Sequence, residues 1–222
     1  MVDKHEWDWL AERAHGECDH LLLGMSDPWL LAPGIHDLQA WNEATTGGAW
    51  GRRFVPAAEW IREKLDLDHW ASFADSFAGL TDLVLSVAEG ERGRPPATIV
   101  GLSGDVHNAY LAELGAPGRP NVRSRIYQGV CSPFRNPLTS REQRAQRLAC
   151  TRTLRAFLAL LAQSARPPRL EVDWRYLYGP LFGNKVGTLE VEGRRALLRV
   201  ESAVGRADER PRLVSAFEHR LA

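Results

Sequence analysis

Pro95-Pro96-Ala97-Thr98-Ile99-Val100-Gly101-Leu102-Ser103-Gly104-Asp105-Val106-His107-Asn108-Ala109-Tyr110 reads as a buried strand that ends by presenting a carboxylate and an imidazole. Ala97, Ile99, Val100 and Leu102 form a short, nearly continuous apolar run, the pattern of a strand covered on both faces. Gly104 permits a sharp turn where the strand stops. Asp105 and His107 are two residues apart, so in an extended backbone their side chains leave the same face. Such a pair is half of a metal site, and its oxygen and imidazole donors suit zinc, iron or manganese better than a thiolate-loving metal. The alternative is that Asp105 caps a turn and His107 is a hydrogen-bonded core histidine.

The surrounding chain has 222 residues, enough for one large domain or two small ones with a core that needs no staples. Its 44% hydrophobic and 25% charged content are ordinary for a globular protein. The 28 basic and 28 acidic residues cancel, which argues against a nucleic-acid or membrane-surface binder with its concentrated basic excess. Cys18, Cys131 and Cys150 form no CxxC pair and point to a reducing compartment rather than a disulfide framework. Met1-Val2-Asp3-Lys4-His5-Glu6 is charged and has no apolar core of a signal peptide, and no apolar run approaches the roughly 20 residues that span a bilayer. A cytoplasmic location is expected, with an export signal upstream of this chain left open.

Along the chain, Asp8 to Ala14 reads as a short helix and Leu21 to Gly24 as a buried strand. Trp29 to Ala40 reads as an apolar loop punctuated by Pro33-Gly34, and Thr45 to Gly48 as a turn. A helix begins at Pro56, and a longer one runs from Asp68 to Ala88, where Trp70, Phe73, Phe77, Leu80, Val84 and Val87 recur at three or four. Ser124 to Val130 is a further strand. Thr139 opens one continuous helix to Ser164, with Glu142 as capping-box partner. Leu170 to Trp174, Val186 to Glu192 and Ala196 to Glu201 are strands, the last two joined by a hairpin at Glu192-Gly193. Strands interleaved with helices, then an antiparallel tail, predict a layered α/β sandwich with a mixed sheet.

Several blocks then form a pattern. They are Leu21 to Gly24 with Ser26 and Pro28-Trp29-Leu30-Leu31, then Gly34-Ile35-His36, Ala40-Trp41-Asn42, and His69-Trp70 with Ser76-Phe77. Leu102 to Tyr110, Cys131-Ser132-Pro133-Phe134-Arg135-Asn136-Pro137-Leu138, and Gly179-Pro180-Leu181-Phe182-Gly183-Asn184 with Thr188-Leu189 follow. In this order, along most of the chain, they resemble the bacterial alkaline phosphatase D (PhoD-like) metallophosphatases. The resemblance implies an α/β fold of the calcineurin-like metallophosphoesterase class, a sandwich with mixed β-sheets, flanking helices and a two-metal centre. It implies divalent or trivalent metal ions as cofactors, with iron, calcium, zinc and manganese not distinguished, and a phosphate ester as substrate.

The family's early Asp, Gly-Asp and Asn motifs have no counterpart here. The expectation is therefore a C-terminal half: residues 1–166 as half of the catalytic domain, and 167–222 as a terminal β-strand segment packed on it. Asp105 and His107 match the family's late Gly-Asp-Val-His element, which makes both metal ligands and places His107 in the catalytic machinery. Asp27 stands where similar sequences carry an apolar residue.

Two ligands cannot hold two ions, so His36, His69, Asp75 and Asn136 are further candidates, each equally readable as structural. His69 in particular reads as a capping or packing residue. Asn108 is a candidate for orienting substrate, or a turn residue. Arg135 is a candidate phosphate fork, or the partner of a carboxylate. Cys131 reads as a buried small hydrophobe, and the Gly-x-Ser-x-Gly elbow that would make Ser103 a nucleophile is absent. Two functions result: a metal-dependent phosphoester hydrolase inactive without an N-terminal half or partner chain, or a non-catalytic remnant that serves as an interaction module.

Overall fold

The apolar run after Pro95-Pro96 becomes an interior strand with neighbours on both sides. The computed structural model describes residues 3–132, 138–168, 171–205, 210 and 212–222. In chain order the elements are α1 (Lys4–Arg13), β1 (His20–Gly24), α2 (Pro33–Thr46), α3 (Val55–Leu65), α4 (Ala74–Glu89), β2 (Thr98–Ser103), β3 (Ala109–Gly115) and β4 (Arg125–Cys131). Then come α5 (Ser140–Ala149), α6 (Arg152–Ala165), β5 (Asp173–Leu181), β6 (Lys185–Glu192), β7 (Arg195–Val204) and β8 (Arg212–Arg220). Short 3-10 turns lie at Arg52–Phe54 and Trp70–Ser72.

The chain is a mixed α/β protein. Its main sheet has the order β1-β2-β4-β3-β5, and β6-β7-β8 form a second, antiparallel sheet. β1, β2 and β4 are parallel, while β3 runs against both β4 and β5. Alternation sends successive side chains of the main sheet to two cores. Ile99, Tyr110, Ile126 and Trp174 pack against Phe77, Leu80, Val84 and Val87 of α4. Val100, Leu111 and Tyr127 pack against Leu198, Val200 and Phe217 of the second sheet. Helices, sheet and sheet are thus stacked as layers. On β1, an edge strand, Leu23 is buried and Leu21 half-buried, while Leu22 is 44% exposed.

Several expectations are corrected. The supposed loop from Trp29 to Ala40 gives way at Pro33 to α2, with proline in the first turn where its missing N–H costs nothing. The supposed helix from Asp68 is broken: a 3-10 turn ends at Phe73 (φ −136°, ψ 72°), and α4 starts anew with Ala74 N–H donated to Glu43 Oε1. Thr139 does cap its helix in a full capping box with Glu142, yet the helix stops at Ala149 and α6 restarts from the extended Thr151. β3 and β8 fall where no strand was expected. The strand expected at Leu170 starts at Asp173, runs on to Leu181 and completes the main sheet, so the tail divides between the two sheets.

Candidate metal centre

Because β1 and β2 are parallel, with His20 beside Thr98 and Gly24 beside Leu102, their carboxyl ends release two loops side by side. Backbone bonds hold these loops together: Met25 N–H donates to Leu102 O (3.0 Å) and Gly104 N–H to Ser26 O (3.2 Å). Asp27 sits on the first loop and Asp105 on the second. Gln128, fully buried in β4, ties the same loops again. Its Oε1 accepts from Trp29 N–H at 3.2 Å and its Nε2 donates to Ser103 Oγ at 3.1 Å.

The third member arrives from the helix layer. His69 lies in extended backbone (φ −78°, ψ 179°) immediately before the 3-10 turn, on the connection from α3 to α4. One donor atom from each of Asp27, His69 and Asp105 lies within 4.8 Å of the others. Asp27 and His69 are half-buried and Asp105 is exposed. The amide of Gln39, 1% exposed on α2, reaches His69 Nδ1 at 3.2 Å, and Asp68 Oδ1 stands 3.4 Å from the same nitrogen. An Nδ1–H donated to Asp68 would leave Nε2 for an ion, the arrangement that orients metal-binding histidines, and it asks the Gln39 amide to turn its oxygen rather than its nitrogen toward the ring.

Burial pushes the Asp27 carboxyl above the ordinary carboxylate range; His69 opposes the shift, and the neighbouring Asp105 charge and hydrogen bond add to it. Two oxygens and one nitrogen are a donor set for one divalent ion, with remaining positions open to water or substrate. Among the described residues no second group of this kind forms. The donors fit one ion of the implied two-metal centre.

His107, expected as a second ligand beside Asp105, lies outside the trio. Neither it nor Asp105 is extended: both lie in the left-handed region, with φ of 55° and 65°. The turn thus falls on these two residues rather than on Gly104. His107 N–H donates to Ser132 Oγ at 2.8 Å, and the residue lines a cleft with Asp105 and His69. It also faces Glu142, whose carboxyl is held low chiefly by hydrogen bonds from Thr139 and also by the His107 charge. Asn108, 5% exposed, donates to Val106 O and Gln146 Oε1, tying the loop to α5, while its Oδ1 is buried without a partner.

The other candidates scatter. His36 is wedged between the rings of Phe77 (4.7 Å) and Trp174 (4.8 Å), and burial lowers its pKa to about 4. Asp75 is exposed in the first turn of α4, outside the trio. Arg135 and Asn136 lie outside the described residues. Cys131 is half-buried, packs with the inter-sheet core, and has its thiol pushed up by burial. Ser103 Oγ accepts from Gln128.

Asp27 had a signal that sequence reading passed over: it follows the end of one buried strand much as Asp105 follows another, and parallel strands gather ligands at their carboxyl ends. His69 had no local signal. Comparison of the chain with family models, with curated proteins and with solved structures returns no match.

Proposed function

We propose that this chain carries a metal-dependent phosphoester hydrolase site of the calcineurin-like type, in which Asp27, His69 and Asp105 hold one divalent ion. The observation that carries this reading is their convergence at the carboxyl ends of two adjacent parallel strands. Two sheets packed face to face, with helices over the main one, are in keeping with such a sandwich. When bound, the ion supplies Lewis-acid polarisation of a phosphoryl oxygen and acidifies a water. Gln39 and Asp68 fix the His69 ring, and Gln128 holds the loops that carry the two carboxylates. His107, which lines the same cleft as Asp105 and His69, gives a proton to the departing alcohol in this reading. One donor set for one ion makes slow turnover the expectation for this chain alone, and a partner that adds ligands would raise it.

The test is calorimetric titration of the chain with Mn2+ or Zn2+, coupled to hydrolysis of 4-nitrophenyl phosphate and its diester. One ion per chain is expected. His69→Gln and Asp105→Asn should each weaken it at least about tenfold, since loss of even an outer-shell partner costs that much. Unchanged metal affinity in both variants, or hydrolysis indifferent to metal, overturns the reading.

A further inference from the structure

Beside the metal centre runs a cleft of about 590 Å³, a size that encloses a small organic molecule and far exceeds what a phosphate group fills. Ile35 and Leu38 of α2, Leu65 and Leu67 at the end of α3, and Ala145 and Ala149 of α5 form its apolar walls. His69, Asp105 and His107 line the same space.

The amide and tyrosine side chains in the wall are already hydrogen-bonded within the protein. Gln39 serves His69, and Asn108 donates to Val106 and Gln146. The Tyr110 hydroxyl donates to Leu30 O at 2.8 Å, and the Tyr176 hydroxyl is hydrogen-bonded to the Ala32 backbone. The side-chain oxygens of Gln39 and Asn108 that lack partners are sealed from solvent. Lys64 is the one lysine or arginine among the described lining residues, and three carboxylates, Asp66, Asp105 and Glu142, line the same cleft. A sugar or other polyol would find few hydrogen-bond partners along the apolar walls, and a polyphosphate would find no cluster of cations.

We infer that this cleft holds the organic group of the substrate and that the group is an apolar aryl or alkyl moiety. The inference rests on the phosphoester reading above. Its test is calorimetric binding of 1-naphthylmethylphosphonate and of methylphosphonate, which resist hydrolysis, to the full chain with and without Mn2+. The naphthyl compound should bind at least about tenfold more tightly, from apolar area removed from water. Ala145→Trp, at an exposed position on α5, should fill the cleft and erase that preference without weakening methylphosphonate. Ile35→Gln should reduce the preference by making one wall polar, and it decides the matter if the tryptophan variant melts early.

Equal affinity for the two phosphonates, or a naphthyl preference untouched by both variants, overturns the inference. Metal-dependent methylphosphonate binding in that case keeps the phosphoester reading. If Mn2+ strengthens neither phosphonate while the naphthyl preference is present and lost in the variants, the phosphoester reading falls and the apolar site stands.

Discussion

Asp27 and Asp105 repel each other across the candidate metal centre, and Asp27 in the folded chain holds its proton more tightly than an ordinary carboxyl. A raised folded-state pKa makes the ionised form weigh against folding. That penalty is absent below the unfolded value of 3.8 and grows as pH rises through the folded one. At neutral pH, Asp27→Asn should therefore stabilise the metal-free protein. The gain is modest, because solvent screens a half-buried group: on the order of 1 °C in Tm. The same variant should lose most of the stabilisation that Mn2+ confers on the wild type, a mass-action effect of about 2.7 kcal/mol at a hundredfold excess over Kd. Thermal melts with and without Mn2+ check both halves, and a lower Tm without metal contradicts the first. The neighbouring backbone carries a cost of its own. Asp105 and His107 at positive φ cost about 1–3 kcal/mol each, a strain that collects at functional sites. Nothing in Gly-Asp-Val-His announces it, because the twist comes from the bonds that anchor the loop to Ser26 and Ser132.

Helix α2 shows why some elements were legible and others were not. Its buried face holds His36, Gln39, Asn42 and Thr45 beside Trp41, so the apolar periodicity that announces α4 is missing. These polar residues are buried because they have work there. Gln39 holds His69, and Asn42 donates to Ala58 O at 2.8 Å, locking α2 to α3. At its start, Gly34 lies so close to the α5–α6 junction that an added Cβ would stand 2.9 Å from Ala149 O and 3.3 Å from Leu158 Cδ1. Gly34→Ala gains about 1 kcal/mol of helix propensity but must push backbone apart, which costs about 1–3 kcal/mol. The push falls on backbone, which yields less readily than a side chain, so the expected result is a net loss of about 1 kcal/mol in a urea titration. Unchanged or increased stability would show that the junction yields freely. Strand β3 was hidden for another reason. Ala109 to Gly115 has no strong strand composition, and it is extended because β4 and β5 hydrogen-bond to it on both sides.

At the scale of the whole molecule, the core between α4 and the main sheet takes in the imidazole of His36. His36 is 7% exposed between Phe77 and Trp174, and its Nδ1 has no partner, so it is buried neutral with a pKa lowered to about 4. A histidine with a depressed folded-state pKa binds its proton more readily when unfolded. Its contribution is complete above 6.5 and is lost as pH falls from there toward 4. The loss is about 3 kcal/mol, and His36→Phe should flatten that part of the stability–pH profile measured by urea unfolding. An equally steep profile in the variant would place the acid sensitivity elsewhere. The sequence by itself determined what depends on a few adjacent residues. It specified the apolar strands β2 and β4, the periodic face of α4, the Thr139–Glu142 cap and the hairpin at Gly193. Each is set by alternation, by helical spacing or by a local hydrogen bond. Only the tertiary structure decided the candidate metal centre. Asp27, His69 and Asp105 come from three separate connections. They meet because β1 pairs in parallel with β2 and because α2 holds the α3–α4 connection at the end of the sheet. Those are long-range pairings, and no spacing along the chain encodes them.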